Sequence, residues 1–275
     1  KLYTQIGNIP ELSMFAQCMT DVGYDEVVNK SGTYTAFVPS NEAFQQYLTE
    51  KSYASIADIP LAEKERIVKS QIIQFPYNKD QLTGLSASGW VDENDGFNNE
   101  ALAFKRQTLM RNPNKKYFVK EELDGVFRYV VIVDEAESEG ERVVYTNSRK
   151  YSSLFYDGFL NASGLIPDDY QFYFNRPYEA DNIYYAGSKI TSDEIYADNG
   201  VVYIVDKVID PLLNAEELMD ANNYTYFKSL INQYSEFSLN QTATDNQEGA
   251  DEGISVAPLF NLTFNRIGFD IQDEV

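Results

Sequence analysis

The 275-residue sequence contains no histidine and a single cysteine. Without histidine, a Ser-His-Asp triad, a Cys-His pair and His-ligated zinc are excluded within this chain. One cysteine permits neither an intrachain disulfide nor a cysteine-held metal cluster. Cys18 lies in the apolar stretch Leu12–Met19 and reads as a small buried hydrophobe, not a reactive thiol. Basic residues are scarce: 22 Lys and Arg stand against 43 Asp and Glu, for a formal charge of −21. A nucleic-acid backbone or an anionic lipid surface would repel such a chain. No run reaches the roughly 18 apolar residues that a membrane-spanning helix needs. The sequence starts at Lys1-Leu2-Tyr3 without a signal-peptide core, so we expect a mature or trimmed product whose secretion signal and lipid-anchoring cysteine would lie upstream.

Apolar and aromatic residues are abundant, at 43% and 14%, with 21 Tyr and 17 Phe, enough for a packed core. Leu12, Phe15, Ala16, Met19 and Val22 form one helical stripe that starts after Pro10 and ends at Gly23. Thr33–Val38 is β-prone, Pro39 ends it, and Ser40 and Glu42 suit the start of a following helix. Residues Leu61–Phe75 read as a helix with Ile67, Val68, Ile72 and Phe75 toward the core. Lys116–Val119 and Phe127–Val133 read as strands, with Arg142–Tyr145 as the return strand after an acidic turn. Val201–Ile209 follows the turn dipeptide Asn199-Gly200 and reads as a long buried strand closed by Pro211. A helix is expected over Ala215–Tyr234, a polar acidic linker over 240–253 and a short apolar piece over Ile254–Phe264.

Three apparent motifs fail on spacing. The turn after Val38 lacks the glycines and lysine of a phosphate loop. Gly84–Gly89 has the wrong spacing for a nucleophile elbow, and there is no histidine to serve one. Asp92–Gly96 places its glycine too early for an EF-hand and has no acidic ligand at the closing position.

Two segments carry a family resemblance. Thr35-Ala36-Phe37-Val38-Pro39-Ser40-Asn41-Glu42-Ala43-Phe44 resembles the first conserved block of the fasciclin (FAS1) domain, and Asn199-Gly200-Val201-Val202-Tyr203-Ile204-Val205-Asp206-Lys207-Val208-Ile209-Asp210-Pro211 its second. The resemblance implies an α+β FAS1 fold, a β-sandwich-like wedge with packed helices, over residues 1–213. Such domains take about 140 residues, an ordinary single-domain size. Here the blocks lie farther apart, so an aromatic-rich insertion of about 78–190 is expected between them. Residues 214–275 would be a C-terminal segment that opens a second FAS1 copy. The middle looks like fasciclin lipoproteins of Bacteroidetes that accompany SusC/SusD-type importers, which implies an outer-membrane, surface-facing location. The sequence departs from the family where its Tyr-His pair becomes Ser70-Gln71, where the second block's His becomes Tyr203, and where an integrin-associated Asp-Ile becomes Glu194-Ile195.

Both blocks read as scaffold, so function is expected in loops and in the insertion. The leading expectation is a non-catalytic cell-surface binding or adhesion module with a protein or glycan partner, no cofactor and no metal site. Its candidate patch is Tyr170, Phe172, Tyr173, Phe174, Tyr178, Tyr184 and Tyr185, because such rings suit sugars and protein interfaces. As Tyr170–Phe174 in a strand would alternate between faces, part of the cluster should be exposed. Trp90, the sole tryptophan, is a further platform candidate. The alternatives are an accessory subunit of a SusC/SusD-type importer and a carboxylate-dependent glycoside hydrolase.

Overall fold

The computed structural model describes residues 1–84, 105–132, 149–247 and 256–273. Trp90, the 84–89 loop beyond Gly84, the 92–96 turn and the 142–145 strand lie outside them. The chain forms two compact units, Lys1–Met110 with Lys150–Pro211, and Arg111–Arg149 with Leu212–Val275. Residues 111–149, expected as part of an insertion, group with the C-terminal segment from Leu212 onward.

In the first unit the helices are α1 (Leu2–Gly7), α2 (Ser13–Asp21), α3 (Tyr24–Lys30), α4 (Asn41–Lys51), α5 (Leu61–Ser70), α6 (Lys79–Gly84), α7 (Asp157–Ser163) and α8 (Pro167–Phe174). Its strands are β1 (Tyr34–Pro39), β2 (Ile72–Gln74), β3 (Lys105–Arg111), β6 (Arg149–Phe155), β7 (Tyr184–Tyr185), β8 (Ser188–Lys189), β9 (Ile195–Ala197) and β10 (Gly200–Val205). They build one mixed sheet in the order β8-β7-β6-β3-β2-β1-β10-β9.

The two family-like blocks lie side by side at its centre. β1 and β10 pair in parallel from Tyr34↔Gly200 to Pro39↔Val205. Side chains alternate across the pleat, and both faces are covered. Tyr34, Ala36, Val38 and Val202 join Phe15, Met19, Phe44 and Val68 in one core beneath the N-terminal helices. Phe37, Val201, Tyr203 and Val205 join Leu154, Tyr156 and Tyr185 in a core on the other face. Cys18 is buried in the first core, and burial pushes its thiol up to about 12, so it stays protonated.

Two asparagines of the blocks tie the helices to this sheet. The Asn199 side chain accepts the Leu2 N–H at 2.7 Å and donates to the carbonyls of Val28 at 2.7 Å and Gly32 at 3.3 Å. Its backbone carbonyl accepts the Tyr34 N–H at 3.0 Å, which sets the register of β1. Gly200 follows because a Cβ there would lie 2.4 Å from the Tyr34 carbonyl oxygen. The β9–β10 turn is therefore Asp198-Asn199, and Gly200 is already strand. Asn41 accepts the Met14 N–H at 3.0 Å and donates to the Pro10 carbonyl at 3.0 Å, capping α2 from the start of α4. Ser40 caps α4 itself by accepting the Ala43 N–H at 3.2 Å.

Several expectations are corrected. The stripe read after Pro10 is a tight turn at Pro10–Leu12 running into α2, as expected, but another helix, α1, precedes it, and Gly23 at φ +70° also starts α3. The 61–75 helix stops at Ser70, because the β-branched pair Ile72-Ile73 joins the sheet beside β1. The buried strand stops at Val205, where Asp206 turns its carboxylate to Arg176. The stretch taken for an insertion is partly sheet: β6, β7 and β8 extend it, and Ile190 bridges back to Val205.

The second unit holds a four-stranded antiparallel sheet, β11 (Glu236–Leu239), β12 (Leu259–Thr263), β4 (Tyr117–Leu123) and β5 (Val126–Val131), in that order. Phe237 stacks on Tyr129 at 4.1 Å and meets Phe118 edge-on at 4.9 Å. The helix expected over 215–234 is instead α9 (Ala215–Ala221) and α10 (Thr225–Asn232), broken where Asn223 takes φ +56°. Met219 and Ile231 reach a small core with Phe264 and Ile271. Part of the expected linker is α11 (Gln241–Asp245), capped by Asn240, whose side chain accepts the Ala243 N–H. Asn112 and Asn214 both donate to the Gln272 carbonyl, and Lys115 pairs with Asp270 at 2.6 Å, fastening the last turn within this unit.

Asn199→Ala leaves the buried Leu2 N–H and Val28 carbonyl without partners, at about 1–3 kcal/mol each. Amide exchange at Ala36 and Val38 is expected to speed up roughly a hundredfold, the equivalent of about 3 kcal/mol. Exchange within threefold of the parent would show that Asn199 does not hold β1 in place.

Candidate functional site

The aromatic segment is folded by its own rings. Residues 170–174 belong to α8 and not to a strand: Pro167 starts the helix, and the Asp169 carboxylate accepts the Ile166 N–H at 2.8 Å. Helical spacing puts Tyr170 and Phe174 on one face and Phe172 on the opposite face. Tyr170 packs against Tyr184 at 4.8 Å, Phe174 at 5.0 Å, and Phe155 and Tyr178 at 5.3 Å each. Phe174 closes over Gly187, where φ is +79° and a Cβ would lie 2.5 Å from the Phe174 ring.

The seven residues expected as one patch therefore divide. Tyr170, Tyr184 and Tyr185 are fully buried and form no part of a docking surface. Tyr185 stacks on Phe37 of the first block at 3.7 Å and donates to the Ser70 carbonyl at 2.9 Å. Tyr184 accepts the Glu179 N–H at 3.1 Å. Phe174 and Tyr178 are half-buried; the Tyr178 hydroxyl donates to Asp157 at 2.7 Å. Burial first, then Asp157, raises the Tyr178 pKa, so it remains a donor. Phe172 and Tyr173 alone of the seven are exposed, by 92% and 44%.

A cleft of about 410 Å³ lies beyond the C-terminal ends of β1 and β10. Glu42, Gln46 and Glu50, spaced four apart on α4, form one wall; Phe174, Asn175 and Arg176 at the end of α8 form another; Asp206 and Lys207 follow β10. Arg176 grips Asp206 with both terminal guanidinium nitrogens, at 2.9 and 2.5 Å. Burial would raise the Asp206 pKa, but the hydrogen bonds from Arg176 and the Lys189 N–H, with their charges, outweigh it and hold the carboxyl below its usual range. The Arg176 pKa is raised, chiefly by the same hydrogen bond.

Sequence reasoning missed this cleft, because its walls come from residues 40–50, 174–176 and 206–208. The usable signal was Asp206-Lys207 directly after a strand parallel to the one that ends at Pro39. Ser70 and Gln71, at the family's Tyr-His position, are buried and lie outside this cleft; both side chains donate to the Ile67 carbonyl. Tyr203, at the family's histidine position, is buried and donates to the Tyr77 carbonyl at 2.9 Å. Among the described residues no acidic or cysteine cluster has metal-site geometry, and no helix is long and apolar enough to cross a membrane.

The family model for the fasciclin domain matches residues 10–146. No curated protein matches the chain. Among solved structures, a FAS1 domain pair from the insect cell adhesion molecule Fasciclin I is similar at 14% identity and a TM-score of 0.36, covering 82% of this chain. This chain spans 58% of that one.

Because the folded-state pKa of Asp206 is depressed, its pairing stabilises the protein above the ordinary aspartate value near ~4, and this is lost as pH falls through the lower folded value. Asp206→Asn is expected to lower the melting temperature at pH 7 and to converge on the parent as the pH drops below about 4. A difference that stays constant from pH 7 to pH 2 would show that the carboxylate charge contributes nothing.

Proposed function

We propose, from the premise that this chain carries a fasciclin domain, that it is a non-catalytic binding module that engages a surface partner through the exposed rings of α8. Fasciclin domains are adhesion-type modules in relatives and are typically extracellular or at the cell surface. The observation that carries the reading is Phe172, a large apolar side chain left 92% in water on a helix whose other face is locked by Tyr170 and Phe174. An exposed ring on a pre-ordered helix loses little conformational freedom on binding, which favours its use as an anchor.

Chemistry in the cleft is the weaker reading. Asp206 is held ionised by Arg176, which suits it poorly to donate a proton to a glycosidic oxygen. The resemblance of the middle segment to fasciclin lipoproteins supports a lipid-anchored outer-membrane location and an importer of SusC/SusD type as one partner class. On this reading residues 1–213 carry the FAS1 domain and the C-terminal segment begins a second one.

Phe172→Ala with Tyr173→Ala is expected to leave folding intact and to weaken binding at least about thirtyfold, the scale of an interface hot spot. The measurement is retention of isolated cell-surface proteins and of arrayed glycans on the immobilised chain and the variant, with thermal scans as the folding control. A partner held equally by both would remove these rings from the interface.

A further inference from the structure

The surroundings of Phe172 describe the partner. Asp168 and Asp169 lie four and three residues before it, one helical turn back, so all three side chains share the face opposite Tyr170 and Phe174. Both aspartates are exposed, and Asp168 has no hydrogen bond or ion pair among the described residues. Farther along, up to Asp181, stand Glu179, which pairs with Lys189 at 2.9 Å, Asp181, and one base, Arg176. That base is bound bidentately to Asp206, so it offers no free positive charge to an incoming surface. The apolar anchor therefore shares its helix face with two carboxylates, on a chain of formal charge −21.

We infer that this face of α8 docks onto a protein whose surface presents an apolar pocket bordered by Lys or Arg. The inference rests on the reading of Phe172 and Tyr173 as the binding rings and adds the chemistry of the occupant. A convex helix with a protruding phenylalanine fits a groove on a partner. A flat sugar would instead need a platform or a concavity. Opposite charge around the ring speeds encounter and rejects acidic partners, and both effects fade with salt. An acidic or neutral protein surface would leave Asp168 facing a like charge or nothing.

The test uses two fluorescent peptides of equal length, each with a leucine face, one with lysines and one with glutamates on the opposite face, titrated into the full chain. The lysine peptide is expected to bind at least about tenfold tighter than the glutamate peptide and to lose about tenfold between low and high salt. Asp168→Asn with Asp169→Asn should cost about threefold to tenfold and flatten the salt dependence. Phe172→Ala with Tyr173→Ala should abolish the preference, and Phe127→Ala, an exposed ring of the other unit, should change nothing. If the ring variant loses binding while the two peptides bind alike, the charge inference is overturned and the ring reading stands. If the ring variant binds the lysine peptide as the parent does, both fall. Failure of the parent to bind the lysine peptide, or ring-dependent capture of a glycan in preference to it, overturns the basic-protein assignment.

Discussion

The parallel ladder between β1 and β10 is the constraint on which the first unit depends. Six residue pairs join stretches far apart in sequence, and Asn199 fastens their common end to two helices and the Gly32 carbonyl with three side-chain hydrogen bonds. Because this pair is covered on both faces, its side chains supply the heart of two cores at once. Placing Val38 beneath the helices places Phe37 on the other side, where Tyr185 stacks on it. The parallel arrangement also brings Ser40 and Asp206 to the same end of the sheet, and the cleft forms there. Position in the ladder therefore decides which residues meet in the cleft.

The aromatic segment shows how packing divides a composition that looks uniform. Five rings, Phe155, Tyr170, Phe174, Tyr178 and Tyr184, satisfy one another and the nearby backbone. Their hydroxyl groups find Asp157, the Gly187 carbonyl and the Glu179 N–H, so burying them leaves these polar groups paired. Helical geometry leaves Phe172 outside, opposite Tyr170 and Phe174, whereas Tyr173 flanks that face and meets Phe174 at 4.9 Å and Phe155 at 6.3 Å with its outer part in water.

The two conserved-looking blocks were legible in the sequence because each combines several local signals. A β-branched run, a terminating proline and a capping serine agree at Thr35–Phe44, and the α+β expectation followed from them. Legibility failed where tertiary pairing overrode local pattern. Ile72 continues the helical stripe of Leu61–Ser70 but is taken into the sheet between β1 and β3. Tyr170–Phe174 has strand-like composition, yet Pro167 and the Asp169 cap make it a helix. Within the candidate patch, the sequence could not say which rings face water, because that depends on the partners of Tyr184 and Tyr185 in β7. The Arg176–Asp206 pair was invisible, since thirty residues separate its members and neither forms a motif.

The ladder also bears on how the chain matures. β1 is complete at residue 39, but its neighbour β10 is not finished until residue 205. At a translation speed of about 5–20 residues per second, β1 waits roughly 8–33 s on the ribosome with that edge open. Antiparallel β2 can cover the other edge early, within about forty residues. A nascent chain stalled before residue 200 would thus present an apolar strand with unpaired amides, the kind of surface that holdase chaperones recognise and that seeds aggregation when they are scarce.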